Sequence, residues 1–133
     1  MLLCCRSPKR LSEATEFDWT KGAMAQGLAA YREGNFFLAH EFWEEQWRRS
    51  LLPEKTFVQA LIQLSCAMHH HQRGNPRGAY GQLNHALVKL QDFPATYGGL
   101  NVGALREEMA GWIVALGGER SAPTPPIPAL RLL

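Results

Sequence analysis

Tyr31-Arg32-Glu33-Gly34-Asn35-Phe36-Phe37-Leu38-Ala39-His40 is matched forty residues later by His71-Gln72-Arg73-Gly74-Asn75-Pro76-Arg77-Gly78-Ala79-Tyr80. Each copy sets Gly-Asn between two stretches of helical periodicity, and the glycine supplies the positive φ that a tight helix-helix turn needs. Four residues after each asparagine stands an alanine, Ala39 or Ala79, small enough for two helices to approach closely. The correspondence predicts two helical hairpins in tandem.

Working outward from those turns, a first helix is expected to begin after Asp18, whose carboxylate can cap it, and to stop at Gly34-Asn35. A second should cover 36–50. Pro53-Glu54 is a favourable helix start and opens a third that reaches about 73, where Gly74-Asn75-Pro76 ends it. A fourth covers 76–90 and a fifth 102–116, closed by Gly117-Gly118. Gly98-Gly99 reads as a turn. No segment alternates as a strand would. The expected fold is therefore all-α, a bundle of about five helices built from two hairpins and a closing helix. This plan resembles the grammar of tetratricopeptide-type repeats, although two copies are too few for a solenoid.

The 133 residues, 46% hydrophobic and 20% charged, suit a single folded domain. We divide the chain into an irregular leader at 1–16, a helical domain at 17–118 and a proline-rich tail at 119–133. In the tail Pro123, Pro125, Pro126 and Pro128 forbid helix, while Ile127, Leu130, Leu132 and Leu133 are apolar. The tail is expected to dock back on the bundle, the alternative being a peptide offered to a partner. A net charge of +2, with scattered Lys and Arg, implies no nucleic-acid partner. The absence of a long apolar run and of a signal-like start implies no membrane and a cytoplasmic location. Cys4, Cys5 and Cys66 give no disulfide framework, and Cys4-Cys5 reads as a reduced pair.

The unusual chemistry lies in the second helix. Phe36, Ala39, Trp43 and Trp47 form one stripe, with His40 at its edge and Glu44 one turn on. Glu41 and Glu45 share the adjoining stripe, and Arg48 and Arg49 follow Glu44 and Glu45 at the favourable spacing for helix ion pairs. The third helix is apolar over most of its circumference, and its remaining stripe aligns Gln59, Gln63, Cys66 and His70. If that stripe faces the second helix, two amides and an imidazole meet the acidic row.

The run from Arg32 to Trp47, with its pattern Ala-His-Glu-x-Trp-Glu-Glu-x-Trp, continues with Gln59-Ala60-Leu61-Ile62-Gln63-Leu64 and His70-His71-Gln72-Arg73-Gly74-Asn75. Over about residues 20–92 it resembles the prokaryotic family catalogued as domain of unknown function 309. The resemblance implies a compact helical bundle. It also implies that His40, Glu41, Trp43, Glu44, Glu45, Trp47, Gln63 and His70 sit at signature positions. It implies no activity.

Four readings of these residues stand side by side. The first is a polar network of His40, Glu41, Glu44, Glu45, Gln59, Gln63 and His70 that ties helices two and three together, flanked by Trp43 and Trp47 as core residues. The second is a divalent-metal site, or a metal-dependent enzyme, using His40, Glu44 and His70. It lacks the His-Glu-x-x-His and paired Glu-x-x-His templates. Metal-free acid-base catalysis by the His-Glu pair is the third, with no nucleophile motif or cofactor fingerprint beside it. The fourth, a module that binds a protein partner or a second copy, fits the hairpin repeats best. We carry it forward together with the network, expecting neither metal nor cofactor.

Overall fold

The structure, a computed structural model, describes residues 17–118 and 123–133. The expected leader with Cys4 and Cys5, and residues 119–122 of the expected tail, lie outside the described residues. Among the described residues the chain forms α1 (Gly22–Arg32), α2 (Phe36–Arg49), α3 (Glu54–Gln72), α4 (Pro76–Leu90) and α5 (Val102–Gly117). Two short strands, β1 (Thr96–Tyr97) and β2 (Leu100–Asn101), precede α5. The fold is all-α, with the helices joined as hairpins α1–α2 and α3–α4 and closed by α5.

The twin Gly-Asn turns are built alike. Gly34 and Gly74 take φ of 82° and 74°. Asn35 N–H donates to Ala30 O and Asn75 N–H to His70 O, both at 2.9 Å, while Gly34 and Gly74 N–H donate to Tyr31 O and His71 O at 3.0 Å. These are the paired bonds that close a helix through a left-handed residue. Each asparagine then starts the next helix: its side chain accepts from Leu38 N–H at 3.2 Å and from Gly78 N–H at 3.1 Å. One dipeptide thus ends one helix and begins another. Ala39 and Ala79 follow at 0% exposure, where the helices meet.

Through its buried Phe57, Val58, Leu61, Leu64 and Met68, α3 forms the middle of the core, with α2 and α4 packed against it. Trp43 is fully buried and its indole abuts α1 at Gly27, where a Cβ would overlap Trp43 Nε1. Only a residue without a Cβ fits there.

Two local expectations change. Asp18 does not cap α1, which begins at Gly22 behind Lys21 with no side-chain cap. The Asp18 carboxylate instead accepts from Thr20 N–H at 2.9 Å and from the Thr20 hydroxyl, which commits it to a turn ahead of the helix. Those bonds hold its pKa below the ordinary value. The chain also contains a hairpin that the sequence reading omitted. Thr96 pairs with Asn101 and Tyr97 with Leu100 across Gly98-Gly99, whose φ values of 61° and 84° suit a two-residue turn. Strands of two residues are too short for alternation to register. No helix among the described residues is long and apolar enough to cross a membrane.

Candidate functional site

The residues singled out in α2 and α3 separate into three groups. His40 and Glu44 come together: His40 Nε2 lies 3.3 Å from Glu44 Oε2, and His40 Nδ1 lies 3.1 Å from Phe37 O. Both ring nitrogens are therefore engaged by α2 itself. The pair is half exposed, with side-chain accessibilities of 20% for His40 and 41% for Glu44, and Arg48 Nη2 stands 4.0 Å from the other Glu44 oxygen. Glu41 and Glu45 face outward and are exposed. Trp43 is core. Trp47 is half-buried under Lys55, whose Nζ sits 4.0 Å from the ring centroid and donates to Trp47 O at 3.2 Å.

On α3, His70 turns away from this pair. Its Nδ1 lies 3.1 Å from Asn75 Nδ2, and a Cβ on Gly78 of α4 would fall 2.7 Å from the same nitrogen. The imidazole that faces α2 is its neighbour His69, which packs on Phe37 with ring centroids 5.5 Å apart. Consecutive residues of a helix point about 100° apart, so only one of the two can face a given neighbour. Desolvation, then the cations Arg73, His70 and His40, hold the His69 pKa below its ordinary value. Burial, then the Glu44 carboxylate, pushes the Cys66 thiol up. Gln59 is half-buried, and Gln63 Oε1 is enclosed with no hydrogen-bond partner.

No hydrogen bond among the described residues joins Gln59, Gln63 or His70 to the His40–Glu44 pair. The network expected between α2 and α3 is thus an intrahelical pair plus a separate His70–Asn75 contact at the α3–α4 turn. Nor do His40, Glu44 and His70 converge as a cation would require. Among the described residues no group of three or more His, Cys, Asp or Glu side chains is placed to hold a metal ion.

A second polar site draws its groups from the two ends of the bundle. Residues 123–133 run between α1 and α5, and three carbonyls on alternate residues each accept a side-chain hydrogen bond. Trp112 Nε1–H donates to Pro126 O at 2.7 Å, the Tyr31 hydroxyl to Pro128 O at 2.7 Å, and Arg32 Nη2 to Leu130 O at 2.9 Å. Glu108 accepts from Ala129 N–H at 2.9 Å and pairs with the Arg131 guanidinium. Beyond this the tail continues as a strand. Asn101 N–H donates to Arg131 O and Leu133 N–H to Gly99 O, both at 2.9 Å, and Leu132 bridges to Leu100.

The walls of this groove are rigid aromatics. Tyr31 packs on Phe36 and Trp43 with centroids 5.0 and 5.9 Å away, and Trp112 meets the His71 ring edge-on at 4.7 Å. Burial, reinforced by the Glu108 charge, drives the Tyr31 pKa far above its usual value, so the hydroxyl remains a donor. A cavity of about 350 Å³ bounded by Tyr31, Phe36, Ile127 and Pro128 stays open beside the tail. Sequence reasoning passed over Tyr31, Arg32, Glu108 and Trp112 as site residues. The available signal was the apolar, proline-rich tail, which had to find a partner surface somewhere.

Comparison with known proteins finds similarity over the segment that holds α2 and α3. An uncharacterized protein of Aquifex aeolicus (strain VF5) is 33% identical over 86 residues. That match covers 62% of this chain but 26% of the relative, so the chain spans about a quarter of the relative's length. The family described as domain of unknown function (DUF309) matches residues 24–81, from α1 into α4, and leaves α5 and the tail outside. On that match, residues 24–81 of this chain are similar to the DUF309 family.

Proposed function

We propose that this chain is a protein-interaction module whose α1–α5 groove binds an extended peptide, with its own C-terminal segment as the resting occupant. The observation that carries the reading is the row of side-chain donors, Trp112, Tyr31 and Arg32, aimed at the carbonyls of alternate residues 126, 128 and 130. Backbone carbonyls are common to all peptides. A surface that reads them through preset donors has the chemistry of a peptide receptor as well as that of a packed core.

The same reading takes the His40–Glu44 pair as a structural feature of α2 and assigns no enzymatic step, metal or cofactor. It places the protein in the cytoplasm with a protein partner, and gives no role to nucleic acid or a lipid surface. Scattered cationic residues support the exclusion of nucleic acid.

The test weakens the tail and leaves the groove intact. Leu130, at 3% exposure, anchors the tail. In the full chain carrying Leu130→Ser, a fluorescent peptide of sequence 123–133 should bind at least about 100-fold tighter than to wild type, because a tethered competitor acts at millimolar effective concentration. Anisotropy titration measures this, with circular dichroism to verify folding. Equal and negligible binding by both folded proteins removes the proposal. Arg131→Glu, which breaks the ion pair to Glu108 without touching the core, provides a second variant.

A further inference from the structure

The contacts along the tail differ in what they demand of a ligand, and this difference defines a sequence pattern. Resting on the peptide-groove reading, we infer that the groove selects an extended segment of another protein bearing Pro-x-Leu-Arg, or its lysine equivalent, with x any residue except proline.

Each position has its own cause. Pro128 is buried and offers a carbonyl to Tyr31 without bringing an N–H into the groove. Any other residue there adds a donor that must be satisfied in a buried place. The next position needs its N–H, because Glu108 Oε1 accepts it at 2.9 Å, so proline is refused. Leu130 is almost fully buried and fills the apolar anchor point. Arg131 answers the second Glu108 oxygen, which selects a cation. Beyond Arg131 the contacts to Gly99, Leu100 and Asn101 are those of strand addition, which reads backbone and adds no side-chain requirement.

The occupant that displaces the tail is a foreign segment and not a second copy. Exchange between copies replaces each tail contact with an identical one while adding the cost of association. A foreign segment on the same backbone path gains where it carries a larger side chain than Ile127 or Ala129, which would reach into the space of about 350 Å³ between the tail and the Tyr31 and Phe36 rings.

Peptides test the pattern against the full chain carrying Leu130→Ser, or Arg131→Glu if the first variant is poorly folded. The parent is the 123–133 sequence, compared with versions carrying Pro128→Ala, Ala129→Pro, Leu130→Ala or Arg131→Glu. We expect the proline and arginine changes to weaken binding about tenfold each, and Ala129→Pro and Leu130→Ala to reduce it by about 100-fold. A parent peptide that binds while all four versions bind equally well overturns the pattern and leaves the peptide groove standing. A parent that fails to bind overturns both. Sedimentation of the wild-type chain from low to high micromolar should show one monomeric species. A concentration-dependent dimer with exchanged tails overturns the choice of a foreign segment in favour of a second copy.

Discussion

The acidic segment of α2 and the groove between α1 and α5 both gather polar groups around tryptophan, and they do so in opposite ways. In α2 the partners are one turn apart: His40 bonds the carbonyl of Phe37 and the carboxylate of Glu44, and half of the arrangement faces water. In the groove the partners are remote: the Tyr31–Pro128 bond, across 97 residues, is buried, the bonds of Trp112, Arg32 and Glu108 to the tail are part-buried, and only the Glu108–Arg131 pair is half exposed. A local pair forms wherever its helix forms. A remote set forms only when the whole bundle is folded, so its energetic weight and its capacity to hold a ligand are both larger. Polar residue types alone therefore make a poor guide to where a protein binds something. Convergence from separate elements is the better one.

The largest expected effect tests that weighting directly. Trp112 is 1% exposed and forms one wall of the groove. Trp112→Ala should lower unfolding stability by about 3–5 kcal/mol in urea titration, since it removes a large buried ring as well as the bond to Pro126 O. Next in size, Tyr31→Phe keeps the ring against Phe36 and Trp43 and deletes only the hydroxyl that Pro128 O accepts from. A loss of about 1–3 kcal/mol is expected, the cost of a buried carbonyl left unpaired. No change in stability for Tyr31→Phe would mean that the groove tolerates solvent at Pro128 and is no more specific than the α2 surface.

How far each region was legible follows from the same contrast. The turns at Gly34-Asn35 and Gly74-Asn75 are local devices, and the sequence reading placed the 76–90 helix where it is found. His40 and Glu44 are likewise a matter of spacing within one helix. Whether His69 or His70 faces α2 depends on how α3 is rotated against its neighbours, which no single helix encodes, and the expectation fell on the wrong one. The α1 start was misread because Asp18 had two competing uses, a cap and a turn. Tyr31, Glu108 and Trp112 read as ordinary helix residues. Their common purpose depends on the proline-rich tail lying between them, and prolines state only that the segment is extended.

The smaller predictions concern the α2 side. His40→Ala and Glu44→Ala should each change stability by less than about 0.5 kcal/mol, with a coupling between them of similar size, as for exposed pairs one turn apart. A double-mutant cycle measures the coupling. A value above about 2 kcal/mol would place the pair in a buried network and erase the contrast with the groove.

The smallest effect is a pH dependence from His69. Its folded pKa lies below the ordinary 6.5, so the unfolded chain takes up a proton more readily than the folded one. Stability should therefore fall as pH drops below about 6.5 and be indifferent to His69 above it. Urea midpoints at pH 7.5 and 5.5 should converge in His69→Gln relative to wild type. The same substitution at His70 should shrink the drop only in part, because it removes one of the neighbouring charges that lower the His69 pKa and leaves desolvation, the first cause, in place. If His70→Gln flattens the profile and His69→Gln does not, the imidazole beside α2 has been assigned to the wrong residue. The acidic row would then regain the histidine that the sequence first gave it.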